Sequence, residues 1–290
     1  MISQNLITSV LLGMVITGVI PIIGGIVLLA TGKLKGSSFW AGVLAYLISM
    51  IAYAIISLIY TFTAMDMTDL TSAAVMDEET SVTLNLIMSL ISSAFMAIAM
   101  GICIACCMKL RTLKAAVSCG LGFSVGYLLT IAFSFVSIYL NFIQINSGAF
   151  DEMYRVAIED GMITKEMFNE LKSQMVNIPV SEMILTTVYA VLTSVLFIAI
   201  AIFIMWGVCT KNTFNGIAAA TLVMVLTALP AVMPDLYVGI AIGSALSIVA
   251  IVIAFKMKDK IVPPQKPVVQ DAFLQAVENS RQEEEQNQEQ

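Results

Sequence analysis

The 290 residues are 59% apolar and only 12% charged, with a mean hydropathy of +0.94, beyond what a water-soluble domain carries. The chain has no histidine, which excludes imidazole as general base, metal ligand or pH switch. Most of the formal net charge of -6 sits in the last 20 residues, where six acids meet only Arg281, and no basic patch longer than a short loop exists for a nucleic acid to grip.

Lipid is therefore the expected solvent, and in hydrocarbon each backbone polar group must be satisfied within a helix or a closed barrel. Apolar runs of about 20 residues or more select helices over the alternating ten-residue strands of a barrel. The first run, Leu6 to Ala30, follows a segment without Lys or Arg, so it is expected to remain as a span rather than act as a secretory signal. Pro21 and the pair Gly24-Gly25 predict a kink in it. Span 2 runs from Ser37 to Tyr60, with Trp40 and Tyr60 as interfacial anchors.

The loop Thr61 to Thr80 carries five acids and no Lys or Arg, which assigns it to the outer side. Span 3 covers Ser81 to Met108, the elbow from Lys109 to Lys114 is basic, and span 4 runs from Ala115 to Ile145, longer than a bilayer requires. These two spans form the stretch around which the chain is expected to be organised.

Residues 146–180 form the one substantial outer domain, an amphipathic helical cap. Phe150, Met153, Tyr154, Ala157 and Ile158 share one helix face ending near Gly161, and Thr164 is placed to cap a second helix with the stripe Phe168, Leu171 and Met175. Span 5 (Met183 to Cys209), span 6 (Gly216 to Val232) and span 7 (Leu236 to Phe255) complete seven transmembrane helices in an all-α polytopic bundle. With the N-terminus outside and the C-terminus inside, eleven of the 14 basic residues lie inside and only Arg155, Lys165 and Lys172 lie outside. The segment 261–290, with Pro263, Pro264 and Pro267 followed by acids and glutamines, reads as a disordered cytoplasmic tail.

All 20 acids fall in loops, cap, span ends or tail, so no carboxylate lies at the bilayer midplane, where ion-coupled pumps and intramembrane hydrolases keep one. Ser118, Gly122 and Gly126 in span 4, and Gly239 and Gly243 in span 7, form small-residue ridges suited to close helix packing. Cys103, Cys106 and Cys107 at the inner end of span 3, with Cys119 on span 4, have metal-ligand chemistry and spacing, but small apolar packing explains the same residues. No cofactor is expected.

Span 3, the basic elbow, span 4 and the Asn146-Ser147-Gly148 turn resemble the YhfC family of membrane peptidases, relatives of the glutamic-type CAAX-protease and bacteriocin-processing group. In that family one helix carries a Glu-Glu pair with a following Arg, and the next carries Gly-x-Gly-His-Gly-Gly-x-Glu. Here Gly120 and Gly122 are kept, Phe123 stands at the His position, Tyr127 at the Glu position, and Phe95 to Met100 replaces the acidic pair. A buried phenol is a poor base at neutral pH, so the resemblance implies a pseudoenzyme with the protease scaffold.

That reading expects a multi-pass protein of the bacterial cytoplasmic membrane which binds another membrane protein or peptide in a groove containing Asn85, Ser124, Tyr127 and Ser134. A small-molecule permease or membrane subunit of a transporter is the alternative. A third reading, an active intramembrane endopeptidase, must draw its acid from Glu182 or Asp235 at the outer interface.

Overall fold

Every regular element is helical among the residues described by the computed structural model, which are 2–64, 78–107, 111–161, 163–228 and 235–261, with side chains described outside 59–86 and 107. The order is α1 (Gln4–Met14), α2 (Ile20–Ala30), α3 (Gly36–Ala64), α4 (Glu78–Ile102), α5 (Leu113–Ser147), α6 (Ala149–Glu159), α7 (Lys165–Val176), α8 (Val180–Cys209), α9 (Thr213–Ala228) and α10 (Leu236–Met257). Six segments are long and apolar enough to cross a membrane: α1 and α2 joined end to end, then α3, α4, α5, α8 and α10. The expected sixth span corresponds to α9, whose 16 described residues are apolar but shorter; its extension to Val232 lies outside the described residues. The architecture is an all-α polytopic bundle. Ile23, Ile26, Ile51, Ile55, Phe133 and Val252 point outward from it, an apolar shell that hydrocarbon, not water, must cover.

Between α1 and α2 the helix widens into a π turn, Val15–Val19, where the Ile20 amide donates to the Val15 carbonyl. Pro21 follows directly; its nitrogen has no proton to donate and its ring crowds the preceding turn, and the wider turn accommodates both. Two expected boundaries shift. α3 continues to Ala64 and α4 starts at Glu78, so the acidic loop is shorter than Thr61 to Thr80.

α5, 35 residues and about 52 Å long, is flanked by α3 and α8. Its two retained glycines serve opposite neighbours. A Cβ on Gly122 would overlap the Phe39 carbonyl oxygen of α3, and one on Gly42 would overlap the Cys119 carbonyl oxygen of α5, so the two backbones touch directly. On the opposite side a Cβ on Gly120 would lie 2.6 Å from Cα of Ile198 in α8. Ser118 completes the ridge by accepting the Lys35 amide at 2.9 Å. The stretch expected to organise the chain thus supplies one central helix, α5. The other is α8, the most deeply buried of the six spans, whose Leu196, Ile200, Ile204 and Met205 are wholly enclosed by α4, α5, α9 and α10.

The surplus length of α5 is used outside the bundle. Phe142 and Ile145 near its end pack with Ile2 and Leu6 of the N-terminal segment and α1, Phe150 of α6, Phe168 of α7 and Met183 of α8. The turn Asn146-Ser147-Gly148 ends α5: Gly148 adopts φ +80°, a left-handed conformation that favours glycine, and Asn146 Oδ1 accepts the Ile2 amide at 2.8 Å. The two cap helices form as expected, with Thr164 Oγ1 accepting the Met167 amide at 3.2 Å and a Lys172–Asp151 ion pair joining α7 to α6. Phe150 and Phe168 stack at 5.8 Å, while Met153, expected on the buried face, is exposed.

The direct α3–α5 contact generates a prediction. Gly42→Val and Gly122→Val each force two main chains apart and destabilise the detergent-solubilised protein by about 3 kcal/mol or more, whereas Gly24→Ala, with no atom within 4 Å of the new methyl, leaves thermal unfolding unchanged.

Candidate functional site

The side chains that could carry chemistry line a half-open cavity of about 350 Å³ between α4, α5, α8, α9 and α10. Its place in the half of the bundle nearest the cap helices follows from which parts of the helices reach it: residues 186–197 from the earlier part of α8, 224–228 from the end of α9, and 236 and 240 from the start of α10. Among the described residues eight of the 14 that line it bear hydroxyls and none is charged, although most of the surface facing the cavity is apolar. Ser89, Ser92 and Ser93 come from α4, Thr186, Tyr189 and Thr193 from α8, Tyr127 from α5, and Thr227 from α9.

Helical spacing explains the polar wall. Ser89, Ser92 and Ser93 fall at i, i+3 and i+4, and Thr186, Tyr189 and Thr193 at i, i+3 and i+7, so each set forms one stripe on its helix. Several hydroxyls spend their proton on backbone: Ser93 donates to the Ser89 carbonyl at 2.8 Å, Thr193 to Tyr189 at 2.9 Å, and Thr227 to Met224 at 2.9 Å. Tyr189 reaches across to donate to the Thr227 carbonyl at 2.9 Å, tying α8 to α9. The Tyr127 and Tyr189 hydroxyls both interact with the Thr193 side chain. A hydroxyl that donates its proton keeps its acceptor lone pairs, so the described wall has hydrogen-bonding capacity without a charged group.

The cavity floor is aromatic and thioether: Met96, Phe197 and Met224, with Tyr127 meeting Phe197 edge-on at 5.1 Å. Below it lies a dry seam of Ala97, Met100, Ile104, Ile200 and Ile204, all buried.

Of the four expected groove residues, Tyr127 lines this cavity. Ser124 is buried on the far side of α5, with Oγ 2.7 Å from the Gly120 carbonyl and 2.5 Å from the Ser194 carbonyl of α8. Ser134 is exposed on α5 and returns its proton to the Thr130 carbonyl. The Asn85 side chain lies outside the described residues. Phe123, at the position where the resembled family keeps histidine, is fully buried between Tyr46 (5.3 Å, edge-on) and Phe197 (4.7 Å).

The described candidate cysteines divide between core and surface. A second π turn, Cys103–Cys107, carries those of span 3, and in that wider turn residues three apart no longer overlie one another. Cys103 and Cys119 enter the inner core while Cys106 is exposed, and the Cys107 side chain lies outside the described residues. Among the described residues no three of the Cys, Asp and Glu side chains come close enough to hold a metal ion. The two candidate acids stand at helix starts at the cap end of the bundle. Glu182 is in the first turn of α8, and Asp235 caps α10 by accepting the amides of Tyr237 at 2.8 Å and Val238 at 3.3 Å.

Two substitutions separate packing from site. Phe123→Ala opens a hole in the aromatic core and lowers stability by about 3–5 kcal/mol; Tyr127→Phe, which keeps the ring and removes one cavity hydroxyl, costs about 1 kcal/mol. Thermal unfolding in detergent reads both.

In comparisons with known proteins, no family model, no curated protein and no solved structure matches this chain.

Proposed function

We propose that the chain is a catalytically silent membrane protein of the bacterial cytoplasmic membrane, built on a YhfC-like scaffold, that binds a segment of another membrane protein or peptide in its outer hydroxyl-lined cavity. The observation that carries this reading is the composition of the cavity wall: eight hydroxyl-bearing residues and no charge. Hydroxyls at membrane depth engage the backbone and small polar side chains of a neighbouring helix by hydrogen bonding, while a charged ligand finds no counter-ion there. Glycoside, peptide or phosphoryl hydrolysis requires a group that takes or gives a proton, and the cavity wall offers only alcohols and phenols.

The orientation with N-terminus outside and C-terminus inside fits the charge distribution. One end of the bundle carries Lys33, Lys35, Arg111, Lys114, Lys211, Lys256, Lys258 and Lys260 against Asp259 alone among the described residues. Exposed Trp40, Phe214 and Phe255 sit at that same end, as interfacial aromatics do. The acidic cap occupies the other end.

A permease uses the same cavity as half of a solute path, but the enclosed seam of Met100, Ile104 and Ile200 beneath it favours a closed pocket. An endopeptidase drawing on Glu182 or Asp235 has its acid at the rim, and the carboxylate of Asp235 is already engaged as a helix cap.

Reconstituted in liposomes with a photo-crosslinking side chain at Thr186, the protein is expected to crosslink synthetic transmembrane peptides that present a Ser/Thr face and to leave them intact. Crosslinking falls when Thr193→Leu fills the cavity. Peptide cleavage that disappears in Glu182→Gln contradicts the proposal in favour of the endopeptidase, and solute uptake blocked by Thr193→Leu contradicts it in favour of the permease.

A further inference from the structure

A second cleft, of about 200 Å³, lies on the opposite side of α5 from the hydroxyl-lined cavity, between α2, α3, α5 and α8. Its walls are mostly apolar, with Leu28 and Leu34, Phe39, and the α5 stripe Leu121, Val125 and Leu128, and its two serines, Ser124 and Ser194, donate to backbone carbonyls. Two glycines of α2, Gly24 and Gly25, line it, and neither is required by helix packing. A Cβ on Gly24 meets nothing within 4 Å, and one on Gly25 makes only ordinary contacts, the nearest at 3.6 Å. This contrasts with Gly42 and Gly122, where a Cβ overlaps main chain. The α2 glycines keep a space open between helices instead of closing a contact.

The foot of the cleft is basic. Leu34, in its wall, is flanked by Lys33 and Lys35 in the turn between α2 and α3. Lys114 lies one heptad before Leu121 on the same stripe of α5, and its Nζ donates to the Gly32 carbonyl at 2.7 Å, which fixes it beside that turn. An ammonium group has three protons, so two remain for another acceptor. Among the described residues no carboxylate pairs with Lys33, Lys35 or Lys114.

We propose that this cleft is a binding site for an anionic phospholipid of the inner leaflet, with one acyl chain lying against Gly24, Gly25, Leu121 and Leu128 and the headgroup phosphate against Lys33, Lys35 and Lys114. The apolar wall suits any acyl chain; the unpaired cations at its foot select a net negative headgroup over a zwitterionic one. The inference is independent of the peptide-binding reading, since it uses the other face of α5.

The test uses the full chain in nanodiscs of phosphatidylcholine containing a minor fraction of phosphatidylglycerol, with retained lipid counted by native mass spectrometry. The wild type is expected to retain one phosphatidylglycerol in preference to phosphatidylcholine. Lys33→Gln/Lys35→Gln, which spares the lysine holding the turn, weakens that preference about tenfold or more. Gly24→Leu, which fills the cleft and leaves every charge in place, abolishes retention, whereas Gly24→Ala keeps it. Equal retention of the two lipids by the wild type overturns the proposal. So does unchanged phosphatidylglycerol retention in the lysine variant or in Gly24→Leu, each checked for unaltered thermal unfolding.

Discussion

The main chains of α3 and α5 touch at Gly42 and Gly122, and α5 turns Gly120 to α8 two residues away from that contact. In lipid no hydrophobic force drives helices together, so association depends on dispersion and close approach, which only the smallest residues permit. The α3–α5–α8 slab therefore acts as the frame. α9 and α10 pack against α8, α4 packs against α3 and α9, and the cap sits on the end of α5 that rises beyond the bundle.

The slab also produces the two kinds of interior surface. Along the later half of α8 large side chains close the gap to its neighbours; along its earlier half the Thr186-Tyr189-Thr193 stripe faces the Ser89-Ser92-Ser93 stripe across open space. An alcohol is small, bonds its own backbone and costs little at membrane depth, so such a wall is compatible with a stable bundle in a way that a carboxylate is not. On the other side of α5 the glycines of α2 leave an apolar recess with a basic foot. Both faces of the same helix thus present recesses, one hydroxylated and one hydrocarbon-like.

Much of this was legible from residue order. Long apolar runs set the helices, Gly148 and Thr164 marked the ends of cap elements, and the Ser118-Gly122 ridge announced a close crossing. The π turns were not legible, because Val15–Val19 and Cys103–Cys107 have no composition of their own; the second undid the alignment of Cys103 with Cys106. The central role of α8 was hidden for a different reason: a helix apolar on every side gives no periodicity to show which face is buried. The cavity hydroxyls carried a signal, stripes of Ser and Thr at helical spacing on α4 and α8. The expectation fell instead on Ser124, which bonds into the α5–α8 contact, and on Ser134, one heptad beyond Tyr127 on the same stripe but exposed and bonded to its own helix.

The central claim is a wet, uncharged pocket above a dry seam, and hydroxyl-radical footprinting of the unmodified protein in nanodiscs tests it most directly. Radicals generated from resident water are predicted to oxidise Met96, Tyr127 and Tyr189 at the cavity while sparing Met100, Met205 and Phe123 beneath it. Oxidation of Met100 and Met205 at the same rate as Met96 means that water runs through the bundle and contradicts the account.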